Sequence, residues 1–172
     1  PSVVGVSATM HTPTNIGSNS GGADWDGKDP ESTVLIGFSA VDFDYIETMR
    51  IEILNGRSFS KNYPTDLATD STGVFLVNEE VAKIMGIENP VDMRFDFLGM
   101  KGKIIGVMKN FHYQSAENKI EPLALVATDT RWLNTMVIKI GQGDVTKIMK
   151  EITGTWNKIM PQYPLEYHFV DE

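Results

Sequence analysis

The sequence contains no cysteine, which removes disulfides, thiolate nucleophiles and Cys-ligated metals. It has no basic block. Its 15 Lys and Arg stand against 23 Asp and Glu, a formal net charge of −8, so nothing is set to hold a phosphate backbone by counterion release, and nucleic acid is not an expected partner. It has no long apolar run. The longest, Val34 to Val41, falls far short of the ~20 residues that cross a bilayer. No signal-peptide pattern stands among the first residues, and no internal repeat or low-complexity tract is present.

What is present suits a folded domain. Hydrophobic residues make up 41% of 172, too many for a disordered chain. A chain of this length buries roughly 70% of its unfolded surface, so one domain or two small lobes is expected. The sequence opens on Pro1-Ser-Val-Val-Gly-Val and stops at Phe169-Val-Asp-Glu172. Both ends abut strand-like runs, and a domain excised from a longer protein is the favoured reading.

Along the chain, Val3 to Ala8 reads as a strand. Residues 10 to 31 are rich in Gly, Ser, Asn, Asp and Pro and read as a long excursion. Val34 to Phe38 is a buried-type strand, and Asp42 is placed to N-cap a short helix through Met49. Arg50 to Leu54 is strand-like and ends at Asn55-Gly56. After a second polar loop, Val74 to Val77 is a strand. Asn78 caps a helix with Glu79 and Glu80 in its first turn, Val81, Ile84 and Met85 as its apolar stripe and Gly86 as its stop. Met93 to Phe97 pairs with Lys103 to Met108; Leu123 to Ala127 and Met136 to Ile140 add two strands. The longest helix runs from Asp144 to Met160, with Val145, Ile148, Met149, Ile152, Trp156, Ile159 and Met160 on one face and Pro161 ending it. Leu165, Tyr167 and Phe169 alternate with Glu166, His168 and Val170, which predicts a final half-exposed strand. Strands mixed with three helices predict an α+β sheet with helices packed on one face.

Little in this pattern carries chemistry. Asp24-Trp-Asp-Gly-Lys-Asp-Pro-Glu31 gathers four carboxylates, the ligand type hard cations want. The order is wrong for a calcium-binding EF-hand loop, so a solvated acidic loop held down by Trp25 is favoured. His11, His112 and His168 have no second ligand at helical spacing. His112, between Phe111 and Tyr113, reads as a packing or hydrogen-bonding residue, and His168 as exposed. Gly17-Ser-Asn-Ser-Gly-Gly22 lacks the Lys-Ser/Thr of a phosphate loop, and there is no Gly-x-Ser-x-Gly elbow. No nucleophile–base pair or ligand set is visible, and an enzyme is not expected.

Six short signatures stand in a recognisable order: Trp25-Asp-Gly27-Lys28, Val41-Asp-Phe-Asp-Tyr45, Gly56-Arg57-Ser-Phe59-Ser60, Val77-Asn78-Glu79, Gly86-Ile-Glu-Asn89-Pro90-Val91 and Gly106-Val-Met-Lys-Asn-Phe111-His112. Together they make the chain resemble, from about residue 3 to its end, the extracytoplasmic core domain of MacB/FtsX-type ABC transporter permeases. The resemblance implies an α+β fold with a main lobe over about 1–49 and 111–172, and a smaller inserted β-rich lobe over about 50–110. It implies a domain between the first and second transmembrane helices of a bacterial inner-membrane permease, facing the periplasm. A cytoplasmic ATPase, separate or fused, would use the ATP, and no cofactor would bind in this domain. Its partners would be the rest of the permease, that ATPase, and a periplasmic protein or exported substrate. The intact permease would be dimeric, while the isolated domain could be a monomer. The domain would be non-catalytic, coupling ATP hydrolysis to movement outside the membrane. Trp25, Gly27, Tyr45, Gly56, Arg57, Phe59, Asn78, Glu79, Gly86, Asn89, Pro90, Gly106, Phe111 and His112 would be structural positions of that pattern, Arg57 anchoring the Gly56 turn to a carboxylate or carbonyl. The chain is shorter than relatives with well-studied substrates, and the helix that would join the domain to the first span is expected to be missing or cut. The rival expectation is a free-standing secreted or periplasmic domain that binds a ligand or calcium through residues 24–31.

Overall fold

Three uninterrupted apolar runs decide the architecture. In a computed structural model that describes residues 2–111, 119–129 and 132–170, Ile36–Val41 and Leu123–Ala127 are buried at every position and Thr72–Asn78 at all but the first. A strand buried throughout needs cover on both faces. The elements in chain order are β1 (Val3–Thr9), β2 (Asn19–Ser20), β3 (Asp24–Trp25), β4 (Ile36–Val41), α1 (Tyr45–Met49), β5 (Ile53–Gly56), a short 3-10 turn (Pro64–Asp66), β6 (Thr72–Asn78), α2 (Glu79–Met85), β7 (Phe95–Asp96), β8 (Lys101–Met108), β9 (Leu123–Ala127), β10 (Thr135–Ile140) and α3 (Val145–Ile159).

The main sheet runs β10-β1-β4-β9-β6-β8-β5, with β2 alongside β4; β3 and β7 form a separate pair. It is mixed: β4 with β9 and β6 with β8 are parallel, and the remaining pairs are antiparallel. Strands from residues 50–110 and from the rest of the chain therefore share one sheet. They meet where β6 joins β9 through two registered pairs, Leu76↔Leu125 and Val77↔Ala124. The seam between β1 and β4 is narrower still, a single pair, Thr9↔Val41.

Alternation along the central strands divides the core in two. Phe75, Val77, Ala124 and Val126 point to a cluster closed by Val81 of α2 and by Trp25, Phe95 and Phe97 of the β3–β7 layer. Leu76, Leu123, Leu125 and Ala127 point to a second cluster closed by Tyr45 and Ile46 of α1 and by Phe59. The α+β class expected from the sequence is the class found. The helices α1 and α2, however, take opposite faces rather than one, because the fully buried central strands leave neither face free for solvent.

Two further expectations are corrected. Residues 165–170 form no strand, and Tyr167 and Phe169 stand more than half exposed; alternation alone gave them no partner edge. Asp42 does not cap α1. The N-cap is Asp44, without a side-chain bond. Asp42 accepts the Asp44 N–H at 3.1 Å just ahead of the helix, and also the Ser7 hydroxyl at 2.7 Å and the Ala8 N–H at 2.7 Å, tying β4's exit to β1.

Candidate functional site

Three constructions account for most of the sequence signatures. The first is the corner at Gly56. Its φ of 76° lies in the left-handed region, and a Cβ there would sit 2.2 Å from the Ile105 carbonyl oxygen. Gly106 is equally closed, since a Cβ would lie 2.5 Å from the Arg57 carbonyl oxygen. The two glycines let β5 and β8 approach. Arg57 then turns its fork onto Asp66, with Nη2 2.9 Å from Oδ1 and Nη1 on Oδ2, and Nη1 also donates to the Ser58 carbonyl at 3.0 Å. The Asp66 side chain is 0% exposed and accepts a further bond from the Ser60 N–H at 3.0 Å. The guanidinium lies 4.2 Å over the Tyr63 ring. Its pKa is raised above the ordinary arginine value, first by the hydrogen bond to Asp66. Phe59, 6% exposed, plugs the corner into the second core cluster. Both kinds of acceptor expected for Arg57 are present. Asp66 itself was missed; an arginine at a tight corner, in search of a carboxylate, is the signal that points to a nearby Asp.

The second construction is the start of α2. The Asn78 side chain, 1% exposed, accepts from Val81 N–H at 3.3 Å and Leu123 N–H at 3.0 Å and donates to the Glu121 carbonyl at 2.8 Å. It caps the helix and fastens it to β9. Glu79 accepts the Asn110 N–H at 2.7 Å and Glu80 the Asn110 amide at 3.2 Å, which binds the helix start to the exit of β8. At the other end Gly86 has φ 68°. Ile87 N–H reaches the Ala82 carbonyl and Gly86 N–H the Lys83 carbonyl, the paired bonds of a Schellman cap. Asn89 accepts from Val91 N–H at 3.3 Å across the buried Pro90. Between α2 and β5 lies a shallow open groove of about 360 Å³, floored by Leu54, Ala82, Ile87 and Val107 and edged by Lys83 and Glu88.

The third holds down the acidic loop. Trp25, 5% exposed, stacks on Phe95 at 6.3 Å with 14° between ring planes, and Gly27 turns the chain at φ 88°. Arg94 sits among Asp24 at 2.9 Å, Asp26 at 2.8 Å and Asp96 at 2.7 Å, and its pKa is raised, first by the hydrogen bond to Asp26. Two of the four loop carboxylates thus face a cation of the protein itself. Among the described residues no group of three or more His, Cys, Asp or Glu is placed to hold a metal ion.

The remaining sequence positions are scattered through the core. Tyr45 is 1% exposed, and burial pushes its hydroxyl up to about 12. Phe111 packs against the second cluster, and His112 lies outside the described residues. His11 bridges Ser39 Oγ at 3.2 Å and Ser18 Oγ at 3.0 Å, and burial lowers its pKa. The constructions are distributed over both faces of the sheet and converge on no reactive centre.

This architecture is that of extracytoplasmic domains of ABC-type transporters. The periplasmic region of MacB from Actinobacillus actinomycetemcomitans superposes with a TM-score of 0.59 at 14% identity, over 91% of this chain and 67% of that one. The extracellular domain of the noncanonic ABC-type transporter YknZ from Gram-positive bacteria gives 0.62 at 15% identity, over 93% and 78%. A domain assigned to a permease protein of Porphyromonas gingivalis gives 0.59 at 15% identity, over 92% and 71%. No protein-family model matches the chain, and no curated protein does.

Proposed function

We propose that this chain is the extracytoplasmic domain of an ABC-type permease of the MacB kind. In this reading it is non-catalytic, is joined at both ends to transmembrane helices of the same inner membrane, and couples ATP hydrolysis by a cytoplasmic ATPase to movement on the periplasmic side. The observation that carries the reading is the shared fold, which spans nine-tenths of the chain in three transporter domains. The interior supports it too. The polar networks built by the signature residues are engaged in corners, caps and loop anchors, as expected of a body that transmits force rather than one that turns over a substrate.

Two finer points belong to the same proposal. The division into lobes of about 1–49 with 111–172 and about 50–110 would place the boundary at β6 and β9, which share two registered pairs, and at the β3–β7 pair. Contact with a periplasmic protein or exported substrate would fall on the outer surface of the domain. The test is location. An Asn62→Cys variant of the membrane-embedded parent protein presents the chain's sole thiol at an exposed loop position. A membrane-impermeant maleimide should label it in cells whose outer membrane is permeabilised and whose inner membrane is intact. Labelling only after inner-membrane lysis would contradict the proposal. A rise in melting temperature on adding micromolar to millimolar calcium would favour the rival, a ligand-binding domain working through residues 24–31.

A further inference from the structure

The sheet ends on β10, which among the described residues pairs only with β1. The β1–β10 ribbon has two unlike faces. On one, Gly5 lies against the Thr48 side chain of α1, Val137 packs on the second core cluster, and Lys139 Nζ donates to the Thr48 carbonyl at 2.9 Å. On the other, Val6 stands opposite Ile138 and Ala8 opposite Met136, and this side is open: Val4 is 51% exposed, Val6 48% and Met136 57%.

Edge strands are normally blunted by proline, bulges or outward charges. β10 reads Thr-Met-Val-Ile-Lys-Ile, with no proline, and its single charge is turned toward Thr48. The opposite edge is different. Both edge pairs carry a register irregularity, β5 between Ile53 and Asn55 and the β1–β10 ribbon between Val3 and Gly5, but the residue before β5, Glu52, is ion-paired to Lys109. Charge separates the two edges further. Across β1 and β10 together Lys139 is the only ionisable side chain, in a chain whose net charge is −8. Two copies of an acidic protein repel each other least where neither presents a carboxylate.

We propose that two copies of this chain associate edge to edge through β10, as an antiparallel pair across a two-fold axis at Ile138. That register sets Ile138 opposite its own counterpart, Met136 opposite Ile140 and Val137 opposite Lys139. Every open-face contact is then apolar, and the lysines are kept apart. The patch of Val4, Val6 and Met136 becomes continuous across the pair. A six-residue strand and its flank bury less than a standard interface of about 1,600 Å², so the dimer is weak and concentration-dependent. The inference rests on the ribbon alone and is independent of the transporter reading.

Sedimentation velocity on the purified chain from about 10 µM to about 1 mM should show a monomer–dimer equilibrium. Because the native chain has no cysteine, Ile138→Cys introduces a lone thiol. Directly opposed Cβ atoms in an antiparallel pair lie about 4.5–5.5 Å apart, close to disulfide geometry, so mild oxidation should give a covalent dimer. Leu54→Cys, on the opposite edge, should not. Met136→Lys, which leaves the ribbon's packed face untouched, should weaken association at least tenfold with unchanged circular dichroism. A chain that stays monomeric throughout, equal cross-linking through Leu54→Cys, or a dimer indifferent to Met136→Lys would overturn the proposal. If Ile138→Cys does not fold, the sedimentation of the unmodified chain and of Met136→Lys decides it.

Discussion

Arg57 and Asp66 form a two-pronged pair whose carboxylate is wholly removed from solvent. Removing one member strands the other's hydrogen bonds, which for a buried pair costs about 3–5 kcal/mol. Arg57→Ala should therefore lower unfolding stability in urea by about 3 kcal/mol, the low end because the guanidinium keeps some contact with solvent. Arg57→Lys should recover less than half, since an ammonium cannot span both oxygens. An equal effect of the two substitutions would show that the charge matters and the fork does not. His11 makes a pH prediction. Its pKa is lowered in the folded state by burial, so the unfolded chain takes up its proton first as pH falls. The contribution is fully present above the unfolded value of about 6.5 and is lost as pH drops through that value toward the lower folded one. Melting temperature should fall from pH 7.5 toward pH 5.5, and His11→Gln should flatten that slope. Asp92, whose pKa is lowered by Lys103, acts in the same direction but only near and below the carboxylate range, so the two windows separate.

At the scale of elements, legibility followed locality. The α2 helix was readable because its start, stripe and stop lie within ten residues: Asn78 accepts inside the first turn and Gly86 adopts the left-handed cap. β9 was readable as a buried run. The capping role of Asn78 was visible in the sequence, but its bonds to Glu121 and Leu123 were not, because they join residues more than forty apart. Asp66 was hidden for a similar reason, since a lone Asp in a polar loop carries no periodic mark. Asp42 was misassigned because Asp42 and Asp44 both precede the helix, and β1, distant in sequence, competes for the first. The final strand was over-read because period-two alternation states which faces differ, never which edge is available. Substitutions in α2 should separate its two kinds of support. Asn78→Ala removes the acceptor of the buried Val81 and Leu123 N–H groups and should cost about 2–3 kcal/mol. Gly86→Ala meets no neighbour within 4 Å and should cost only the left-handed backbone strain, about 1 kcal/mol. Chemical denaturation of both variants checks the ranking, and Gly86→Ala as the more damaging of the two would contradict it.

At the scale of the whole molecule, the path of the chain constrains how it can be attached. β1 and β10 run antiparallel, and Gly141 N–H bonds to the Ser2 carbonyl at 3.0 Å, so the beginning of the chain lies beside the entry to α3. The 15 residues of α3 carry the chain about 22 Å away at 1.5 Å per residue. There Trp156 Nε1 donates to the Tyr163 carbonyl at 2.8 Å, folding the exit of the helix back against its last turns. From Tyr163 to Val170 an extended chain covers up to about 23 Å, enough to return to the level of Ser2. A domain held by both ends in one membrane needs that return. The cysteine-free sequence allows a direct measurement: nitroxide labels on Ser2→Cys and Val170→Cys, with their separation read by double electron–electron resonance. A domain of this length has a radius of gyration of about 16 Å, which puts opposite poles about 40 Å apart. The account predicts a distribution centred below about 25 Å, both ends on one side of the molecule; a distribution centred near about 40 Å would contradict it.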